Sequence, residues 1–394
     1  MVLASRPHQR TPLWRDERVL SLLGQAVFVA IVVLVGAFLY GNVRAALERQ
    51  GLVAGFDFMQ APAGFQIGER ASFDPSESYA RAFTVGVINT LRVVGLGIVL
   101  ATLLGLVAGV ARLSSNWLVA RIAAVYVEVI RNTPLLLQLF FWFFAVILKL
   151  PRVRESLALP GSIYLNLRGI FLPWPAPTEA FPAWRNFLVG GLILAALIWM
   201  GVAWWGRRTG RGGFGPGLLY ALAAFSLIAA GSWFVLPAPP LALDVPVLQG
   251  LNYRGGTRLS PEYAALLFGL VFYTGAFIAE IVRAGIQSVS KGQVEAARAL
   301  GLKPMQVLRL VVFPQALRVI IPPLTSQYLN LAKNSSLAVA IGYPDLFSVG
   351  GTIFNQTGRA LEIIGLMMFS YLTMSLTTSL LLNIYNRRVR LVER

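Results

Sequence analysis

Eight apolar stretches, near 20–40, 83–110, 121–148, 187–205, 218–236, 262–286, 318–341 and 361–385, leave this chain few ways to fold. Each is long enough to cross the roughly 30 Å hydrocarbon core of a bilayer as a helix rising about 1.5 Å per residue. No water satisfies backbone amides and carbonyls inside lipid, so open strands and irregular segments are excluded there. With 56% hydrophobic and 13% charged residues, the chain lies outside the range of soluble globular proteins. The expected fold is all-α: a polytopic membrane protein of about eight transmembrane helices.

Charge sets the expected orientation. Arg6, Arg10, Arg15 and Arg18 precede the first span, Arg207, Arg208 and Arg211 separate the fourth from the fifth, and Arg387, Arg388 and Arg390 follow the last. Basic residues concentrate on the cytosolic side, so an even span count puts both termini there. The segment 41–80, with Asp57, Glu69, Asp74 and Glu77, fits the outer side. The Pro-rich, aromatic stretch 149–184 is also expected outside as an ordered interfacial loop, although its basic excess runs against the rule. The net charge of +17 therefore reflects topology, and nucleic acid is not an expected partner.

The first span is too long for a signal-peptide core and lacks a small-residue cleavage site, so a retained anchor is expected. Zero Cys and one His, His8, exclude thiol catalysis, disulfides and Cys-rich metal sites, so neither a metal nor a catalytic residue is expected. Gly210, Gly212 and Gly215 have GxGxxG spacing but follow a span rather than a strand, which speaks against nucleotide binding.

Polar residues within spans are costly and mark candidate pathway positions. They are Asn89, Thr90 and Arg92; Glu128, Arg131, Asn132 and Thr133; Glu280 and Arg283; and Lys333, Asn334, Ser335 and Ser336. A spacing of three puts Glu128 with Arg131, and Glu280 with Arg283, on one helix face, where each pair either neutralises itself or serves a polar path. Asn89, Arg92, Glu128, Arg131, Asn132, Thr133, Lys333, Asn334 and Ser335 form the candidate substrate pathway. Pro134 and the pair Pro322 and Pro323 are expected to loosen their helices beside these groups. Gly105 and Gly109 make a GxxxG pair, read as close helix packing.

Segment 290–320 is the long cytosolic element. Helix-forming residues run over 293–300, Gly301 suits a left-handed stop, and Pro304 suits the start of a second helix, over 305–317, lying at an interface. An amphipathic connector would share this composition, but the residue pattern is more specific. Glu295, Ala296 and Ala297, then Gly301, then Val311, Phe313 and Pro314, resemble the EAA loop of permease subunits from ATP-binding-cassette (ABC) importers. The strings NTLRVV at 89–94, EVIRNTPLLLQLFFWFF at 128–144, GAFIAEIVRAGIQSVSKGQVEAARALG at 275–301 and QALRVIIPPLTSQYLNLAKNSSLAVAIGYPDL at 315–346 resemble the polar amino-acid branch of that family, of the general L-amino acid type.

The resemblance implies a five-helix permease core, formed by the second, third, sixth, seventh and eighth spans. It divides the chain into an anchor span with a periplasmic loop (1–82), a first core part (83–148), an inserted block of loops and two spans (149–260), and a second core part with the coupling loop (261–394). Glu295, Ala296, Ala297, Gly301 and Pro314 would couple it to an ATPase. The implied partners are a homologous permease subunit in a heterodimer, two ATPase subunits, a periplasmic amino-acid-binding protein, the lipid bilayer and an L-amino acid. The implied location is the bacterial inner membrane. No GxxxxGK[ST] occurs, so ATP and Mg would sit on the partner ATPase and this chain would bind no cofactor. An autonomous secondary transporter or channel for polar solutes is the alternative, and it would need no docking helix. A membrane-embedded lipid-modifying enzyme would need a clustered carboxylate or His set that the sequence lacks.

Overall fold

A computed structural model describes residues 17–49, 55–69, 73–209 and 214–389. Arg6, His8, Arg10, Arg15, Gly210, Arg211, Gly212 and Arg390 lie outside the described residues. Among those described, seven helices are long and apolar enough to cross a membrane, or eight if one bent pair is a single span. The first is α1 (Glu17–Arg49).

The centre of the molecule is the pair α2 (Tyr79–Ala111) and α7 (Pro261–Gln287). Both begin on a serine cap: Ser78 Oγ accepts from Arg81 N–H at 3.3 Å and Ser260 Oγ from Tyr263 N–H at 3.0 Å, satisfying amides that a helix start leaves open. Gly105 and Gly109 let the two backbones close on each other. A Cβ on Gly105 would lie 2.5 Å from Ile278 Cβ, and one on Gly109 would lie 2.7 Å from the Ala279 carbonyl. Leu266, Leu270, Ile278 and Leu331 are fully buried in the core this contact starts.

The expected third span is two helical segments. Helix α3 (Trp117–Asn132) ends at Thr133, and α4 (Leu135–Phe140) continues through a π-helical turn to Lys149 at 109° to it. Proline disfavours helical backbone in the residue before it, and Thr133 is extended at φ −104°, ψ 127°. The side-chain amide of the buried Gln138 covers the break, donating to the carbonyls of Ile130 and Thr133, both at 2.9 Å. Pro322 and Pro323, by contrast, do not interrupt α10 (Phe313–Asn334). Buried Ala316, Ile320 and Ile321 before them and Leu331 and Ala332 after them hold the helix to the core, enough to offset a penalty of about 3 kcal/mol per interior proline.

Helix α8 (Lys291–Ala299) is followed by Gly301 at φ +81° and by α9 (Pro304–Val307). The second half of this hairpin was expected as a separate interfacial helix. Instead α9 runs through a π turn at Leu308–Val312 directly into α10, giving one long candidate span, Pro304–Ile341. No stop signal lies between them, and Val307 and Val312 both bury against Ala297.

A short helix absent from the expectation, α11 (Leu346–Thr357), packs Leu346, Val349 and Ile353 against Val85 of α2 and Ile363 of α12 (Ala360–Val389). Met59, Ala63 and Ile67, in segment 55–69, complete that cluster at the end of the bundle where α2 and α7 begin.

The inserted block contains more than loops and two helices. Strands β1 (Leu157–Leu159), β2 (Ile163–Asn166) and β3 (Gly169–Leu172) form an antiparallel sheet completed by β8 (Thr257–Leu259), in register Ile170↔Leu259. Two-stranded ribbons pair β4 (Trp174–Pro177) with β5 (Leu241–Asp244) and β6 (Val247–Gln249) with β7 (Asn252–Arg254). Between them, α5 (Phe181–Arg208) and α6 (Phe214–Val235) pack as a hairpin, with Trp184 Nε1 donating to the Ala229 carbonyl at 3.2 Å.

Candidate functional site

The polar residues singled out in the spans separate into two groups by burial. Asn89, Thr90 and Ser335 are fully buried, and their bonds run to backbone. Asn89 Nδ2 donates to the Pro344 carbonyl at 3.0 Å, Thr90 Oγ1 accepts from Leu346 N–H at 2.9 Å, and Ser335 Oγ donates to the Ala332 carbonyl at 2.8 Å. The first two bonds tie α2 to the start of α11, and the third stays within the end of α10. Tyr343 and Asp345 belong to the same network: Tyr343 Oη donates to the Asn89 carbonyl at 3.1 Å, and Asp345 caps α11 by accepting from Ser348 N–H at 2.8 Å. Sequence reasoning missed both. The string Gly342-Tyr343-Pro344-Asp345 held the signal, a turn followed by a capping residue.

The second group is accessible. Arg92, Glu128, Arg131, Asn132 and Lys333 are exposed on this chain, while Thr133 and Asn334 are half-buried. Thr133 Oγ1 donates back to the Val129 carbonyl at 2.8 Å. Glu128, Arg131 and Asn132 line a cavity of about 440 Å³ with Arg112, Phe277 and Glu280.

Glu280 is the hub of that cavity. Its carboxylate pairs with Arg112 at the end of α2, with Arg283 one turn along α7, and with Arg131 Nη1 at 3.8 Å. The Arg131 guanidinium also lies over the Phe277 ring, 5.1 Å from its centroid. The Glu280–Arg283 pair is as the spacing predicts. The Glu128–Arg131 pair is not among the ion pairs of the described residues, because Arg131 turns across to α7. Glu280→Ala leaves three guanidiniums without their shared counter-ion. Because Glu280 is 25% exposed, solvent moderates the loss, and about 1–3 kcal/mol of destabilisation is expected. A lower thermal midpoint, partly recovered by adding Arg112→Met, would show it; an unmoved midpoint would mean that the cluster does not hold the helices.

In the 291–307 hairpin, Leu300 N–H donates to the Ala296 carbonyl at 3.1 Å, Gly301 N–H to Arg298 at 2.9 Å and Leu302 N–H to Ala297 at 3.3 Å. Only a residue that tolerates positive φ closes this stop without strain. Ala297 is buried, whereas Leu300 at 82% and Met305 at 71% exposure project from the turn. Glu295, Ala296 and Pro314 flank it, Pro314 in the first turn of α10.

Residues 260–391 match the family model described as "Binding-protein-dependent transport system inner membrane component". The chain is also 47% identical over 369 residues to the general L-amino acid transport system permease protein AapQ of Rhizobium johnstonii, an alignment covering 93% of this chain and 92% of that one. The chain belongs to the amino-acid ABC transporter permeases. Further relatives are the putative amino-acid ABC transporter permease protein YhdX of Escherichia coli, 47% identical over 93% of each chain, and BztB of Rhodobacter capsulatus, 40% identical over all of both. BztB is named as a permease of a glutamate/glutamine/aspartate/asparagine transport system. These alignments cover nearly the whole of this chain and so include residues of its inserted block.

Proposed function

We propose that this permease imports L-amino acids released by a periplasmic binding protein, driven by separate ATPase subunits that dock on the 291–307 hairpin. The observation that carries this reading is the hairpin itself: a rigid two-helix knob with exposed Leu300 and Met305, joined to span α10 without a flexible link. Movement of a docked partner would pass through α9 and the π turn into α10 and so tilt the core helices, alternating access to a polar path. ATP and Mg belong to the partner, and this chain does no bond chemistry. A homologous permease subunit would supply the other half of the pathway. The arginine clusters support an orientation with both termini cytosolic, and the family description as an inner membrane component supports the bacterial inner membrane as its location.

Arg131, Glu128 and Glu280 offer both signs of charge in one cavity, which suits the carboxylate and ammonium that every α-amino acid carries. The test is to purify the complex through this chain, identify its subunits, and measure uptake of radiolabelled L-amino acids into vesicles with ATP and the binding protein. Arg131→Gln is expected to abolish uptake while assembly and basal ATPase activity persist. Loss of assembly would make Arg131 a structural residue, and uptake that survives removal of the ATPase would favour an autonomous transporter or channel.

A further inference from the structure

A second polar cavity, of about 380 Å³, lies at the end of the bundle opposite the hairpin. Its charged side chains are Glu69, from segment 55–69, Arg258, on β8, and Glu262, in the first turn of α7. Ser348 and Thr352 of α11 form the facing wall, and Gln66 adds a further polar edge. None of these residues belongs to the polar set in the spans, and Glu69 and Arg258 lie outside the five-helix core altogether.

The side chains are held in position. The Ser260 hydroxyl donates to the Glu69 carboxylate and accepts from Tyr263 N–H, which fastens segment 55–69 to the cap of α7. Arg258 Nε donates to the Arg168 carbonyl at 3.0 Å, so the inserted sheet fixes its guanidinium by one edge. Gly342 and Pro344 line the cavity too, and the Pro344 carbonyl is the one that receives Asn89. The cavity therefore adjoins the stretch of α2 that carries Asn89 and Arg92.

We infer that this cavity is an acceptor site for a free α-amino acid, whose ammonium lies between Glu69 and Glu262 and whose carboxylate meets Arg258. The inference deepens the importer reading and rests on it for the source of the ligand. An inorganic anion would face two carboxylates, and a metal cation would face a guanidinium; a zwitterion satisfies both signs at once. The volume is at the small end of ligand clefts, which run from about 300 to 1,000 Å³. The additions to the core thereby gain a role: segment 55–69 supplies one acid and the inserted sheet supplies the arginine.

The chain has no cysteine, so Ser348→Cys places a single thiol on the cavity wall. The assembled complex in vesicles is treated with a small methanethiosulfonate, and labelling of this chain is followed by mass spectrometry with and without ligand. L-leucine, L-arginine and L-glutamate are expected to slow labelling, and N-acetyl-leucine and leucinamide, each lacking one charge, not at all. Glu69→Gln and Arg258→Gln are each expected to raise the half-protecting concentration about ten-fold, the effect of one lost charge-assisted hydrogen bond. If Ser348→Cys fails to assemble, Gln66→Cys reports from another edge of the cavity. No protection in complexes that take up the same amino acid, or protection unchanged in Arg258→Gln, overturns the site. Protection without ATP-driven uptake would keep the site and remove the importer reading.

Discussion

Gly301→Val is expected to cut ATP-driven uptake about ten-fold or more while the chain still reaches the membrane folded. At φ +81° a β-branched side chain is strained by roughly 1–3 kcal/mol, and about 1.4 kcal/mol already shifts an equilibrium ten-fold. Nothing lies within 4 Å of where the Cβ would go, so the cost comes from the backbone and not from a clash. The hairpin would relax to other turn geometries and misplace Leu300 and Met305, while the buried spans, which do not touch Gly301, keep their packing. Gly301→Asn, which tolerates the left-handed region, should behave close to wild type. Wild-type uptake and full co-purification of the ATPase with Gly301→Val would remove the hairpin from the coupling path.

A single added methyl group in the α2–α7 contact is expected to destabilise the fold. Gly105→Ala puts a Cβ 2.5 Å from both Cβ and Cγ2 of Ile278 and 3.0 Å from the Gly275 carbonyl, where neither backbone nor branched side chain has room to retreat. Overpacking of this kind costs about 1–3 kcal/mol. Gly95→Ala, ten residues earlier on the same helix with nothing within 4 Å, should instead be neutral or gain up to about 1 kcal/mol of helix propensity. Heating the purified complex and measuring what remains folded by size-exclusion fluorescence separates the two. Equal midpoints for both variants would mean that the helices part more easily than the contact suggests.

What the sequence made legible follows from how far each signal reaches along the chain. Span-length hydrophobicity, the GxxxG pair, and the glycine stop followed by Pro304 are all local, and all appear in the structure. Pro134 marked the place where the third span loosens but not how sharply it bends, because the composition is continuous across it and Gln138 works by folding back on the carbonyls ahead of it. Partner choice at Arg131 was hidden for a different reason. Helical spacing reports neighbours on one helix, whereas the guanidinium crosses to Glu280 on another. The strands of the inserted block are three or four residues long, too short for alternation to register, and β3 meets β8 only after two long helices intervene. Composition marked Glu69 only as part of an outer segment and did not single out Arg258, and it is the sheet register and the Ser260 cap that bring them to one cavity.

The sharp turn at Thr133 also bears on how the protein is made. Helix α3 has 16 residues, which at 1.5 Å per residue reach about 24 Å, less than the roughly 30 Å of hydrocarbon to be crossed. It carries Arg121, Glu128 and Arg131, and each charge placed near the middle of a lone helix costs the insertion machinery about 2.5–3.5 kcal/mol. Val127 packs on Ala108 of α2, but the polar partners of α3, namely the Phe272 carbonyl that takes the Tyr126 hydroxyl, the Phe277 ring and the Glu280 carboxylate, lie on α7. That helix leaves the ribosome only after the sheets and the α5–α6 hairpin have been synthesised. The charges of α3 therefore gain their partners only when α7 arrives, so full integration of α3 is expected to depend on a helix made much later in the chain.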